Sequence, residues 1–129
     1  MIEKNKIRFT LRFLRYTNNV KDEIIAAQHF DRGLFTLHLY ESHPGLQFLN
    51  LDMEWKDAPI KIGKTVVFNA YRGERLANSE LQKTWHRVIQ QGRIFDRISM
   101  VLFVWTSEIS DYNKEARSRD LKPFYHIVP

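Results

Sequence analysis

Ile7, Phe9, Leu11 and Phe13 recur at every second position and alternate with Arg8, Thr10 and Arg12. A period of two belongs to a β-strand, here over residues 6–16, with an apolar face for the core and a polar face outside. Asn19 is placed to cap a helix that starts at Val20, with Asp22 and Glu23 in its first turn. Val20, Ile24 and Ala27 give that helix one apolar side, and Gly33 fits its C′ position, where a positive φ is usual. Phe35, Leu37 and Leu39 mark a second strand over 34–41, with Thr36, His38 and Tyr40 opposite. Ser42–Gly45 is a turn, and Leu49, Leu51, Met53 and Trp55 mark a third strand over 46–55. The short turn makes these two strands an antiparallel hairpin.

A fourth strand follows over 65–71, then a loop over 72–78. Ser79 and Gln82 match the capping-box spacing. Leu81, Trp85, Val88 and Ile89 then recur at helical spacing up to Gly92. Residues 98–106 are apolar on both faces and predict a central strand. A polar stretch over 111–120 predicts a short exposed helix, and 124–128 an edge strand between Pro123 and Pro129. The order is β-α-β-β-β-α-β with a short polar helix and an edge strand at the end. It predicts a single α+β domain over 1–129, with a mostly antiparallel mixed sheet of about five strands and two main helices. Residues 110–129 read as a peripheral tail suited to an interface, because they add Tyr112, Phe124 and Tyr125 to a chain already rich in core residues.

The absence of cysteine removes disulfides, thiolate catalysis and Cys-ligated metal from consideration. Met100–Trp105 is the longest apolar run, far short of a bilayer span. With no signal-like apolar segment at the N-terminus, a soluble intracellular protein is expected. The net charge of +5 is segregated. Basic residues dominate 1–20 and 61–97, and acids dominate 21–60. Lys6, Arg8, Arg12 and Arg15 cluster on or beside the first strand. Arg72, Arg75, Lys83, Arg87, Arg93 and Arg97 fall on the loop, face and end of the second expected helix. Such surfaces favour RNA, nucleoprotein or anionic membrane. They predict a non-enzymatic, self-associating binding or assembly module that needs no metal and no cofactor. The order of elements is similar to that of small viral matrix proteins, which bridge nucleoprotein and membrane.

An enzymatic alternative rests on the third strand. Asn50, Asp52, Glu54 and Lys56 alternate there and would share one face. Asp52 with Glu54-Trp55-Lys56 resembles the (D/E)xK strand motif of metal-dependent nucleases. That resemblance implies a divalent cation on the acids and phosphodiester cleavage, with His38 as a helper across the hairpin. His29, His43, His86 and His126 show no metal-ligand spacing with another histidine. No Gly-x-Ser-x-Gly, phosphate loop or dinucleotide fingerprint is present.

Overall fold

The segments with period-two spacing fold as strands, and so do the two segments whose spacing predicts helices. The computed structural model describes residues 6–17, 23–77, 81–91, 96–107 and 125–128. Among them the strands are β1 (Ile7–Tyr16), β2 (Ile24–His29), β3 (Phe35–Glu41), β4 (Leu46–Leu49), β5 (Trp55–Asp57), β6 (Thr65–Asn69), β7 (His86–Ile89), β8 (Arg97–Thr106) and β9 (Tyr125–Val128). A six-residue helix, α1 (Tyr71–Leu76), falls in the expected loop between β6 and β7. The α+β expectation with two main helices is therefore corrected to an all-antiparallel β architecture. The expected polar helix over 111–120 lies outside the described residues.

The strands form two sheets. The larger has the order β1-β8-β3-β6-β9 and the smaller β2-β7-β4-β5. Setting β9 aside, strands 1-8-3-6 face strands 2-7-4-5, which is the double-sheet jelly-roll order. The two mispredicted helices, β2 and β7, are neighbours in the smaller sheet. β7 is central there, bonded to β2 on one side and β4 on the other. β7 buries alternate residues, His86 and Val88, and with Trp85 buried just ahead of it the apolar positions fall at 85, 88 and 89, which imitates helical spacing. The expected hairpin also opens out. β3 belongs to the larger sheet and β4 to the smaller, so the Ser42–Gly45 segment crosses between layers instead of turning within one.

The third expected strand ends at Leu49. The Asn50 side-chain oxygen accepts the Asp52 and Glu54 amides, both at 2.9 Å, and Met53 has φ 64°. This Asx-type turn reverses the chain into β5, and Leu51 and Met53 point to solvent. Asn50, Asp52, Glu54 and Lys56 therefore do not share a strand face.

The core lies between the layers. Val66 and Phe68 of the larger sheet pack on Leu46, Phe48 and Val88 of the smaller. Phe48 and Phe68 meet edge to face at 5.1 Å. A second cluster joins Phe30, Leu49, Tyr71 and Trp85 around α1. The apolar alternation of β1 does not take part. Phe9 and Phe13 are 67% and 71% exposed. Register explains the inversion. Tyr16 pairs with Arg97 and Leu14 with Ser99 on β8. Arg97 and Ser99 are buried, so the even-numbered residues of β1 face the interior, and Arg8, Thr10 and Arg12 follow them.

Phe48→Ala is expected to cost about 3–5 kcal/mol, while Phe13→Ser should change stability by no more than about 0.5 kcal/mol. Urea unfolding of both variants measures this. Equal losses would place the outer face of β1 in the core.

Candidate metal centre

His29 closes β2 and His86 opens β7, and the two are paired in register across the strands. Their rings sit 4.2 Å apart between centroids. Asp31 follows two residues after His29, in a loop held by backbone hydrogen bonds at the start of α1. The Tyr71 amide donates to the Asp31 carbonyl (2.9 Å), that of Arg72 to Gly33 (2.8 Å) and that of Ala70 to Leu34 (3.1 Å). Gly33 is required there by close approach, not by a positive φ as the sequence suggests. A Cβ on it would stand 2.5 Å from the Val104 carbonyl oxygen. His86 is fixed in turn by its neighbours. The Thr84 amide donates to the Asn69 carbonyl, and Trp85 is buried in the second core cluster.

The donor atoms of His29, Asp31 and His86 lie within 4.8 Å of one another. His29 Nε2 and His86 Nε2 approach Asp31 Oδ1 at 3.5 and 3.7 Å. Each imidazole keeps its other nitrogen on a backbone carbonyl: His29 Nδ1 on Ala27 at 2.7 Å and His86 Nδ1 on Thr84 at 3.1 Å. A proton held on Nδ1 leaves the Nε2 lone pair free to ligate. The other carboxylate oxygen of Asp31 accepts the Thr36 hydroxyl at 2.5 Å. Two imidazoles and one carboxylate, each oriented from behind, fit a divalent first-row metal ion with coordination positions to spare.

Protonation agrees with that role. Burial alone would push the Asp31 carboxyl up, but the His86 charge and hydrogen bonds from His29 and Thr36 outweigh it and hold it at about 2. Where His86 is neutral, those hydrogen bonds carry the effect. Burial pushes the His86 imidazole below its ordinary value against the pull of Asp31, so its neutral, ligating form prevails at neutral pH.

The site opens into a cavity between the sheets, lined also by Thr36, His38, Arg97, Ser99, Val101 and Phe103. Arg97 is 1% exposed. Its Nη2 donates to Glu41 at 2.7 Å and its Nε to the His43 carbonyl at 3.1 Å. Its guanidinium also stands 5.8 Å from the Tyr16 ring centre. Gly45 allows this packing, since a Cβ there would come 3.1 Å from Arg97 Nε and 2.5 Å from the Ile89 carbonyl oxygen. A register shift between His38 and Tyr40 brings Glu41 opposite Ser99. The bulge turns Tyr40 outward and Glu41 inward. Glu41 there meets both Arg97 and His38, the latter at 3.2 Å.

Other residues singled out in the sequence are scattered. Lys83 is buried on Glu74, which takes its amide at 2.7 Å and its ammonium at 3.3 Å. Arg87 stacks on Trp55 at 4.5 Å and bonds Gln47. Arg72 donates to the Arg32 carbonyl, and Arg15 pairs with Asp96 at 2.7 Å. Lys6 precedes β1, Arg75 is on α1, and Arg8 and Arg12 face the interior side of β1. Arg93 lies outside the described residues. The cations of 61–97 do not form one surface, because Lys83 and Arg97 are inside the protein. Lys56 pairs with its own neighbour Glu54 at 2.8 Å, and that hydrogen bond holds the Glu54 carboxyl below its usual range. His38 is in the other sheet, so the expected group of Asp52, Glu54, Lys56 and His38 does not assemble. His29 and His86, which show no metal spacing in sequence, do come together. The signal that could have found them is His29-x-Asp31 at a strand end, with a lone His86 in a later strand.

Residues 9–105 match the family model of the 2OG-Fe(II) oxygenase superfamily. A 2-oxoglutarate-dependent dioxygenase of Didymella fabae is 38% identical over 80 residues, covering 61% of this chain and 24% of that protein. Among solved structures, a Caulobacter crescentus protein of the 2OG-Fe(II) oxygenase family is 29% identical with a TM-score of 0.65, over 90% of this chain and 42% of the other. A full-length Neurospora crassa protein in complex with alpha-KG is 27% identical with a TM-score of 0.64, over 87% of this chain and 40% of the other. The chain thus spans less than half the length of each of these relatives. The family match overturns the non-enzymatic RNA-, nucleoprotein- or membrane-binding module, its likeness to viral matrix proteins, and the nuclease alternative.

Without metal, acid should destabilise the protein in two windows. The folded His86 pKa lies below its ordinary 6.5, so the unfolded chain takes up the extra proton first and stability falls as pH drops below that value. Asp31, ordinarily near 3.8 and here about 2, adds a loss of about 2 kcal/mol between those values. Thermal melts of metal-free protein from pH 8 to 4 should show a falling Tm below pH 6.5 that His86→Gln weakens. A Tm flat across that range would contradict the burial of a neutral His86.

Proposed function

The chain belongs to the 2OG-Fe(II) oxygenase superfamily, and on that premise we propose that it carries the iron and 2-oxoglutarate centre of a dioxygenase. The observation that supports this most is the convergence of His29, Asp31 and His86 on a cavity that also holds Arg97. His29 Nε2, Asp31 Oδ1 and His86 Nε2 would hold Fe(II), the two-histidine, one-carboxylate set of non-haem iron oxygenases. Arg97 and the Ser99 hydroxyl, two apart on β8 and both lining the cavity, would hold the far carboxylate of 2-oxoglutarate. Together with dioxygen, bound iron and 2-oxoglutarate would supply a two-electron oxidation of an organic substrate, with succinate and CO₂ released.

The chain's own groups do the positioning. Asp31 stays ionised at neutral pH and would offset part of the charge of a bound metal ion. The Ala27 and Thr84 carbonyls keep each imidazole in its ligating tautomer, and the Thr36 hydroxyl fixes the carboxylate plane. Glu41 and the His43 carbonyl engage Nη2 and Nε of Arg97, which holds the guanidinium plane and leaves Nη1 for an incoming carboxylate. Leu14, Val88, Val101 and Phe103 give the cavity apolar walls, which exclude water and strengthen the charge contacts inside.

Succinate formation from 2-oxoglutarate in the presence of Fe(II) and ascorbate tests the proposal. It is expected to stop with a chelator and with Asp31→Ala. Thr36→Val should weaken iron binding by roughly 10–100-fold, the usual cost of losing a group that orients a ligand. Succinate formation that survives both the chelator and Asp31→Ala would contradict the assignment.

A further inference from the structure

The inner face of β1 carries a cation that the iron and 2-oxoglutarate centre does not use. Arg12 pairs in register with Val101 on β8, and Val101 with His38 on β3. Directly paired residues share a sheet face, and Val101 and His38 both line the cavity of the metal centre. Arg12 therefore projects from the cavity side of the sheet. Two strand spacings, roughly 10 Å, separate it from His38, a span that an arginine side chain and a small ligand can bridge together. Its guanidinium stands over the Phe103 ring, 5.3 Å from the ring centre, and Phe103 is itself a cavity wall.

Arg12 differs from the other arginines around it. Arg15 is paired with Asp96 and Arg97 with Glu41, each at 2.7 Å. Among the described residues Arg12 has the Phe103 contact and no carboxylate partner. It is exposed on the edge strand of the larger sheet. Further along the same face, Trp105 pairs with Arg8 and is 38% exposed. The open side of the cavity thus presents an aromatic ring, an unpaired cation above it and a second aromatic ring near the strand end. A single guanidinium matches a carboxylate in charge and in its two-point hydrogen bonding. Aromatic walls suit the apolar body of a small molecule.

We propose that Arg12 binds the anionic group of the primary substrate, and that this substrate is an organic carboxylate with an apolar body. The inference rests on the oxygenase reading, because the ligand must lie beside the iron centre to be oxidised. Binding is read by calorimetry on the Zn(II)-loaded chain with 2-oxoglutarate present, so that no turnover intervenes. The probes are phenylacetate, 4-phenylbutyrate and decanoate, each against its methyl ester.

At least one acid is expected to bind roughly tenfold or more tightly than its ester, as charge-assisted hydrogen bonds do. Arg12→Ala should erase that preference, and Arg12→Lys should retain part of it. Arg15→Ala, on the opposite face, should leave it intact, which separates a specific contact from the general positive field. An acid preference that survives Arg12→Ala would overturn the proposal, and so would its absence in the unmodified protein, including no binding of any probe. Succinate formation by the unmodified protein decides the level of failure. If succinate forms without an acid preference, only the role of Arg12 falls. If none forms, the oxygenase reading falls with it.

Discussion

A polar centre enclosed between two sheets is the constraint on which the rest of this structure depends. Jelly-roll layers normally meet through apolar side chains, and here Phe48 on Phe68 does so. Beside that contact lie two imidazoles and a carboxylate within 4.8 Å of one another. Buried polar groups are tolerable only when paired. Each member of the triad is accordingly held from behind by a backbone carbonyl or a hydroxyl. The loop that carries Asp31 is fastened by three amides at the start of α1, which ties the placement of that helix to the geometry of the centre.

The same constraint explains Arg97. An arginine 1% exposed would be costly alone, and removing one partner of such a pair typically costs about 3–5 kcal/mol. Glu41 supplies the countercharge only because a bulge after His38 reverses the strand's alternation. Gly45 supplies the space. A bulge in one sheet, a glycine in the crossing segment and an ion pair in the core therefore form one unit, and its product is a preset cation at the deep side of the cavity. The centre gains rigidity from this arrangement, which a ligand-binding site needs more than it needs the last increment of stability.

Strands were legible wherever one sheet face governs the pattern. The bounds of β1, β3, β6 and β8 follow period two or a short apolar run to within a residue or two. The direction in which β1 faces was not legible. Alternation states that two faces differ, not which one turns inward; the face of β1 that turns inward lines the cavity with Leu14 and Tyr16 and leaves Arg8, Thr10 and Arg12 exposed further along it. The helices expected over Val20–Gly33 and Ser79–Gly92 failed for a related reason. β7 buries His86 and Val88 with Trp85 buried just ahead of it, so its apolar positions fall at helical spacing, and β2 is a short strand whose pairing is set by a partner far along the chain, so local spacing misled for both. The Asn50 turn hid in a run of alternating residues because a single side-chain oxygen, bonded to two amides, reverses the chain there. The cluster of His29, Asp31 and His86 was hidden by topology. His29 and His86 meet through cross-strand register, which no spacing within one element reveals.

The most direct measurement is an X-ray absorption spectrum of the protein loaded with one equivalent of Fe(II), before and after 2-oxoglutarate is added. A single site with two imidazole ligands and oxygen or nitrogen neighbours in the remaining positions is expected, and 2-oxoglutarate should replace water by a chelate without displacing either imidazole. Iron that fails to bind in stoichiometric amount, or a shell without imidazole scattering, would contradict the assignment of His29, Asp31 and His86 as the metal ligands.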